Sequence, residues 1–398
     1  MIKNIFINYL QRFWAIGLTI YVSIAFRFYF RRWQVHNLPK MTFYEPVIYV
    51  ANHQNAFLDA FAIIFSQKRQ PIFLVRANIF ATLIARIALR WCNMFPIYRK
   101  LDGGNPLEKN EKIIRDCIDM LKDGRQPLAI FVEGNHSMMR MLRPIKKGVA
   151  RIAFSTLEQS DFKMKLKIIP IGLAYNKHTR GRSDLLVNFG KPLLVNDYLA
   201  TYKDNPNKAY LEITDDISSE LTKLVVNIPD SENYEEIEKA WISEKVIYDN
   251  MLDELHNDQQ IIDRLIKEKQ QGKSLTLIQQ RKKKKSVVLM VLGFPAFIYG
   301  SLNSLLLYFI VSKLLKKMVT DVHFYGSIKV GASAFVGPFC NLLQAFSVYA
   351  LSGGNMWLAV IYFASLPFFT IFAHDYFINF FADEPITTSS AELIRGYN

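Results

Sequence analysis

The chain has 398 residues, a formal net charge of +14 and a hydrophobic fraction of 51%. This length predicts two or three domains. The apolar content is high for a soluble protein, so we expect the positive charge to face membrane lipid or phosphorylated molecules, and no nucleic acid. Three cysteines without a C-x-x-C pair predict neither a disulfide framework nor a thiolate zinc site.

The N-terminal residues 1–40 contain an apolar, aromatic run that ends in arginines. The run from Phe13 to Phe26 is short for a bilayer span, and Arg27, Arg31 and Arg32 follow it. A segment of this kind can lie in the membrane interface. We therefore predict an interfacial membrane anchor over residues 1–40, with an ordinary core helix as the alternative.

Residues 41–199 alternate short runs of branched and aromatic residues with stretches that can be helical. The strand-like runs are PVIYVAN, PIFLVRA, PLAIFVEG, KLKIIPIGLAY and DLLVNFG. The helical stretches are 57–67, 79–93, 107–123 and 146–158. Strands that alternate with helices predict an α/β sheet layered with helices.

The C-terminal half divides by composition. Residues 200–285 are charged and nearly free of glycine, which predicts a helical arm. The stretch from Ser286 to Ser312 then carries no charge, and it is long enough to cross a hydrocarbon core of about 30 Å. We predict a membrane region of two or three segments over 286–381 and a tail over 382–398. Basic residues flank both ends of the first segment, so the topology stays open.

The stretch ANHQNAFLDAF places two titratable residues, His53 and Asp59, among apolar ones. His53 follows a predicted strand and Asp59 falls on the first turns of a predicted helix, and α/β folds place reactive groups at such junctions. A carboxylate bonded to one imidazole nitrogen raises the basicity of the other. The pair is a candidate general base, and a satisfied core histidine is the alternative.

Further charged residues follow other strand ends. FPIYRK contains Arg99, and AIFVEGNHS contains Glu133, Gly134 and His136. Arg140 and Arg143 come next, in MRMLRPIKKG. Arginine binds phosphate oxygens bidentately, and a glycine lets backbone approach a ligand closely. The alternatives are a surface charge for Arg99, a helix-start carboxylate for Glu133 and a solvated face for residues 140–147, but the joint order is improbable by chance.

The order resembles that of the glycerolipid acyltransferase family, which acylates glycerol-3-phosphate or lysophosphatidic acid. The family has N-H-x(4)-D, a block ending in arginine, F-P-E-G-T-R-S and a V-P-I-P-like strand. The matching stretches here are NHQNAFLD, FPIYR, FVEGNHS and IIPIG, over roughly residues 30 to 195. Five residues separate His53 from Asp59, which resembles a fungal subgroup that acylates glycerol-3-phosphate and dihydroxyacetone phosphate and also lacks the Thr-Arg pair.

The resemblance implies a mixed sheet layered with helices over residues 41–199, and a direct acyl transfer with no covalent intermediate. His53 would be the general base and Asp59 its partner. The acyl donor would be acyl-CoA or acyl-carrier protein, and the acceptor a phosphorylated glycerol. No cofactor and no metal are expected. The implied substrate-binding residues are Asn52, Arg99, Glu133, Gly134, His136, Arg140 and Arg143.

These expectations place an integral membrane enzyme with its catalytic domain on the cytoplasmic face. Glycerol-3-phosphate and lysophosphatidate stay open as acceptors, and another hydroxylated lipid is a third possibility. A non-catalytic membrane scaffold or transporter is the alternative from a different class. Transporter spans usually hold charged groups, whereas the apolar segments here are nearly uncharged.

Overall fold

The computed structural model describes residues 17–42, 44–98, 106–124, 126–278, 285–382 and 386–395. The strands are β1 (Phe30–His36), β2 (Val47–Ala51), β3 (Ile72–Arg76), β4 (Met94–Ile97), β5 (Leu128–Phe131), β6 (Lys167–Tyr175), β7 (Ser183–Phe189) and β8 (Leu193–Leu194). The helices of the sheet domain are α1 (17–29), α2 (Ala56–Ser66), α3 (Leu83–Trp91), α4 (Pro106–Asp123) and α5 (Gly148–Glu158). The helices that follow are α6 (Leu199–Asp204), α7 (Pro206–Thr222), α8 (Tyr234–Glu244), α9 (Met251–Gln270), α10 (Val287–Met318), α11 (Tyr325–Leu351), α12 (Met356–Phe380) and α13 (Ser390–Arg395).

These strands form one mixed sheet in the order β1-β7-β6-β2-β5-β3-β4, with β8 paired to β6. Strands β6 and β7 are antiparallel, whereas β2 runs parallel to both β5 and β6. The five strand-like runs correspond to β2, β3, β5, β6 and β7, and each predicted helical stretch overlaps one of α2 to α5. The predicted fold class, a mixed α/β sheet layered with helices, is confirmed.

The central strand β2 shows why the sheet needs helices on both faces. Successive side chains of a strand point to opposite faces. Tyr49 packs with Leu58 and Ile63 of α2 on one face, in a core that also includes Phe26 of α1. Ile48 and Val50 pack on the other face, against residues of α4, α5 and α7. All five residues of β2 are buried, as expected for a strand covered on both sides.

The predicted membrane anchor over 1–40 extends too far towards the C-terminus. Residues 30–36 are the edge strand β1, which pairs in parallel with β7. The arginines interpreted as membrane-facing have a structural partner instead, because Arg31 and Arg32 both form ion pairs with the buried carboxylate of Asp184 on β7. Residues 1–16 lie outside the described residues, so only residues 17–40 of the predicted anchor can be compared with the structure.

The helices that follow the sheet domain divide into two groups. α7 packs on the sheet, and α8 and α9 form a third core around the fully buried Trp241. Beyond them, three helical segments among the described residues are long and apolar enough to cross a membrane: Val287–Met318, Val322–Leu351 and Met356–Phe380. An ion pair between Asp375 of α12 and Arg182, in the turn before β7, joins these helices to the sheet domain.

Candidate active site

The imidazole of His53 and the carboxylate of Asp59 are in direct contact. His53 leaves the C-terminal end of β2, and Asp59 lies on the first turn of α2. The chain turns sharply between them, with Ala56 at a φ of 44°, a region that is unfavourable for a residue with a side chain. This turn brings Nδ1 of His53 to 2.8 Å from Oδ2 of Asp59. The predicted pairing of the two side chains is present in the structure.

Asp59 is completely buried, and its environment supplies hydrogen-bond donors to both oxygens. Oδ2 also accepts from the backbone N–H groups of Gln54 and Asn55, each at 2.7 Å. Oδ1 accepts from the hydroxyl of Tyr175 at 2.7 Å. Four donors around one carboxylate compensate for its removal from water. Burial and the neighbouring Asp59 raise the pKa of Tyr175 well above its usual value, so the phenol stays a donor.

The protonation pattern of His53 follows from this arrangement. Asp59 has no proton to donate in the ionised form, so Nδ1 of His53 carries the hydrogen and Nε2 has a lone pair. The ring stacks on Phe131 of β5, with centroids 3.9 Å apart and planes 7° apart. The side chain keeps 16% exposure. The pair can therefore take a proton from a hydroxyl brought to Nε2.

The loop after β5 carries Glu133 and is attached to the backbone of His53. The Oε1 atom of Glu133 accepts from the His53 N–H at 3.2 Å, and the His53 carbonyl accepts from the Ser137 N–H at 2.9 Å. Gly134 has a φ of 75°, a left-handed conformation that glycine adopts without strain. Glu133 therefore orients the loop that carries His53.

Arg143 is the cation bound to Glu133. Its Nε donates to Oε2 of Glu133 at 2.6 Å, and a terminal nitrogen donates to the Asn135 carbonyl. Burial raises the pKa of Glu133, and the guanidinium of Arg143 opposes that rise. Arg143 is 28% exposed, so a ligand can reach it. Of the two arginines expected to bind substrate in this stretch, Arg143 is the one beside His53 and Glu133.

Arg140 does not fit the substrate-binding role. Its side chain is 3% exposed and forms a buried ion pair with Glu238 of α8 at 2.7 Å. The guanidinium also donates to the backbone carbonyls of Tyr175 and Asn176, at the end of β6, and lies over the ring of Trp241. Arg140 thus joins α8 to the strand that carries Tyr175, which is a structural role.

Asn52 is likewise occupied by the fold. Its side-chain amide donates to the Leu173 carbonyl at 2.9 Å and accepts from the Leu173 N–H at 2.8 Å. These two bonds attach the end of β2 to β6, so Asn52 orders the loop that begins at His53. Arg99 lies outside the described residues, and its proposed contact with phosphate stays a prediction.

His136 lies beside His53, as the sequence predicts, but its main partners come from a distant segment. The rings of His53 and His136 are 5.5 Å apart and nearly perpendicular. Nε2 of His136 lies 3.1 Å from Oδ2 of Asp321, in the turn between α10 and α11. Burial lowers the pKa of His136. Burial raises the pKa of Asp321, but bonds from His323 and His136 outweigh it and give a value of about 2.

The start of α11 packs directly on the turn between His53 and Asp59. The Leu58 N–H donates to the hydroxyl of Ser327 at 3.3 Å. A Cβ on Gly326 would lie 2.8 Å from Leu58 Cδ1 and 3.1 Å from both Asn55 Oδ1 and the His178 carbonyl. A side chain at this position would require these neighbouring atoms to move. The apolar C-terminal region therefore forms one wall of the site, a contact that the sequence did not predict.

Comparisons with known proteins find similarity to acyltransferases. The family model described as Acyltransferase matches residues 32–174. Glycerol-3-phosphate O-acyltransferase 2 of Saccharomyces cerevisiae is 32% identical over 114 residues, which are 28% of this chain and 15% of that protein. Glycerol-3-phosphate O-acyltransferase 1 of the same yeast is 32% identical over 108 residues, 26% of this chain and 14% of that protein.

A solved structure is also similar, the 1-acyl-sn-glycerophosphate (LPA) acyltransferase PlsC of Thermotoga maritima. It has 17% identity and a TM-score of 0.33 over 52% of this chain and 80% of that one. The matches to the two yeast proteins span about 15% of their length. The family model therefore matches residues 32–174 as an acyltransferase domain, in agreement with the resemblance that the ordered motifs indicate.

Proposed function

We propose that the chain transfers a fatty acyl group from a thioester, acyl-CoA or acyl-carrier protein, to a hydroxyl of a phosphorylated glycerol. The observation that carries the proposal is the 2.8 Å contact between His53 and a buried carboxylate that accepts three further hydrogen bonds. We take glycerol-3-phosphate as the first acceptor, because the two yeast relatives carry that name. Lysophosphatidate is the second.

The proposed step is a direct displacement. Nε2 of His53 takes the acceptor's hydroxyl proton while the hydroxyl oxygen attacks the thioester carbonyl carbon. The new C–O bond forms, the C–S bond breaks, and the thiolate leaves with the proton returned by the imidazolium. Asp59 stabilises that imidazolium through Nδ1. General base catalysis of this kind contributes about 100- to 10,000-fold.

Arg143 is the proposed partner for the acceptor's phosphate. Its bonds to Glu133 and Asn135 use Nε and one terminal nitrogen, which leaves the second terminal nitrogen without a hydrogen bond to any of the described residues and available to an anion. A guanidinium held by a carboxylate is also oriented before the ligand arrives. Glu133 bonds both the His53 backbone and Arg143, which places the base and the phosphate partner in one network.

An apolar cavity of about 440 Å³ is the proposed place for the acyl chain. It lies between α2 and the junction of α10 with α11, and its lining includes Phe57, Met94, Met318 and Phe324. The ring of Phe324 is 5.9 Å from Phe57 and 5.3 Å from His136. Because His136 adjoins His53, a chain in this cavity would end close to the base. The apolar helices would hold the cavity at the membrane surface, with the sheet domain on the cytoplasmic side.

The acceptor assay tests the proposal. Membranes containing the full-length protein are incubated with labelled acyl-CoA, or with acyl-carrier protein, and with glycerol-3-phosphate or lysophosphatidate. We expect labelled lysophosphatidate from glycerol-3-phosphate, or labelled phosphatidate from lysophosphatidate. If neither acceptor gives labelled product with either donor, the assignment is wrong.

Arg143→Lys should raise the KM for the phosphorylated acceptor more than it lowers kcat.

A further inference from the structure

Three potential metal ligands from distant parts of the chain meet beside His53. His136 lies in the loop after β5, whereas Asp321 and His323 lie in the turn between α10 and α11. One ligand atom from each lies within 4.8 Å of the other two. The rings of His136 and His323 are 4.5 Å apart. Direct acyl transfer by His53 needs no such cluster, so its composition requires a separate explanation.

His323 provides a second observation that points to a ligand. Its Nδ1 is 2.6 Å from Oδ1 of Asp321. Its Nε2 is buried and has no hydrogen-bond partner within the part of the chain that the structure describes. A buried polar atom without a partner costs about 1–3 kcal/mol. Such an atom in a folded protein calls for a specific reason, and an ion is one.

We propose that His136, Asp321 and His323 bind a zinc ion. Two imidazole nitrogens and one carboxylate oxygen are ligands that zinc accepts in tetrahedral geometry, and three protein ligands leave the fourth position open. Zinc–ligand bonds of about 2.0–2.2 Å place the ligand atoms roughly 3.4 Å apart. No two of the three ligand atoms are more than 4.8 Å apart, so binding requires only small side-chain movements, and Asp321 is 42% exposed.

The ion would connect two parts of the chain that lie 185 residues apart in the sequence. The His136 loop also carries Glu133, and the turn with Asp321 and His323 begins α11. Zinc would thus fix the glutamate loop to the junction of the apolar helices. Because zinc binds the folded chain and brings its ligands together only there, it should raise the thermal stability of the whole protein.

Zinc binding is tested on the full-length protein, purified in detergent and freed of metal with a chelator. Titration with Zn²⁺ alone should show one ion per chain by calorimetry and by elemental analysis, with a rise in Tm. Loss of groups that merely support a metal ligand costs about 10- to 100-fold in affinity. Asp321→Asn and His323→Gln should therefore each weaken binding by about 100-fold or more. His256→Gln, at an exposed position on α9, is the matched control and should bind as the parent does.

Three results would overturn the proposal. They are no stoichiometric binding by the parent protein, unchanged affinity in both ligand variants, or equal weakening in the His256 control. A site that prefers Fe²⁺ over Zn²⁺ would refute the choice of metal. Because these readouts do not use acyl transfer, they stand apart from the acceptor assay, and failure of one leaves the other unaffected.

Discussion

The hydroxyl of Tyr175 donates to Oδ1 of Asp59 at 2.7 Å, the oxygen that His53 does not contact. The carboxylate is thereby held from both sides, by the imidazole at one oxygen and the phenol at the other. Tyr175 ends the long strand β6, and Asp59 lies on α2. The orientation of the acid thus depends on a neighbouring strand as well as on its own helix.

Tyr175→Phe should lower kcat by about tenfold, a change of 1.4 kcal/mol in the barrier, with little change in KM. A hydrogen bond to a charged group contributes about 1.5–3 kcal/mol, and its loss lets the carboxylate turn away from His53. Steady-state kinetics on the purified protein measure the split. Tyr202→Phe removes a tyrosine bond to Glu158 far from the site and is the matched control. Equal kcat for both variants would exclude a positioning role for Tyr175.

Gly326→Val should reduce activity because it pushes α11 away from the turn between His53 and Asp59. The added atoms meet Leu58 and the His178 backbone carbonyl, and the backbone cannot move aside easily. Overpacking of this kind costs about 1–3 kcal/mol. Gly331→Val in the same helix is the control, because a Cβ there has no neighbour within 4 Å. Full activity of Gly326→Val would show that this contact is not needed.

Arg140→Met should lower Tm strongly, since it leaves Glu238 buried without its cation. Breaking one side of a buried ion pair costs about 3–5 kcal/mol, and the pair here is 3% and 0% exposed. Thermal unfolding followed by circular dichroism measures the effect, and adding Glu238→Gln should restore part of the loss. A raised KM for the phosphorylated acceptor with unchanged Tm would instead support the original substrate-binding role of Arg140.

Asp184 should make stability depend on acid pH. Burial raises the pKa of Asp184, but its bonds to Arg31, Arg32 and Asn176 outweigh burial and leave the folded pKa below the ordinary value. Its contribution is therefore fully present above about pH 4, the usual pKa of an unfolded aspartate, and is lost as the pH falls through the folded pKa.

The comparison with Asp184→Asn isolates this contribution. The difference in Tm between the parent and the variant should be largest near neutral pH and should shrink below about pH 4. A difference that stays constant from pH 7 to pH 3 would mean that the ion pairs between β1 and β7 contribute nothing through the ionisation of Asp184. Protein in detergent, with the variant measured in parallel, is sufficient for this experiment.

The sequence predicts the sheet and the contact between His53 and Asp59 well because both depend on residues that are close together in the chain. Strand-like runs and the short spacing from His53 to Asp59 lie within single βα units, where chain neighbours become spatial neighbours. β1 was missed because its arginines suggested a membrane surface, and only the fold places Asp184 opposite them. Arg140 and Arg143 also look equivalent in the sequence, yet Arg140 is buried against Glu238 of α8 and Arg143 is partly exposed beside Glu133.

Contacts between residues far apart in the sequence leave no local pattern that predicts them. His136 and Asp321 are 185 residues apart, and no pattern in the sequence relates them. No motif in the sequence therefore indicates a metal site. Tyr175 likewise appears as one more aromatic residue in a strand until the sheet places it against Asp59.

The most direct test of the central claim is the rate of acyl transfer by His53→Ala. Removal of the base should reduce kcat by about 100- to 10,000-fold, with Tm and acceptor binding close to those of the parent. His256→Ala, an exposed histidine on α9, controls for loss of an imidazole elsewhere. If His53→Ala stays folded and transfers acyl groups within a few-fold of the parent rate, His53 is not the base and the proposed mechanism is wrong.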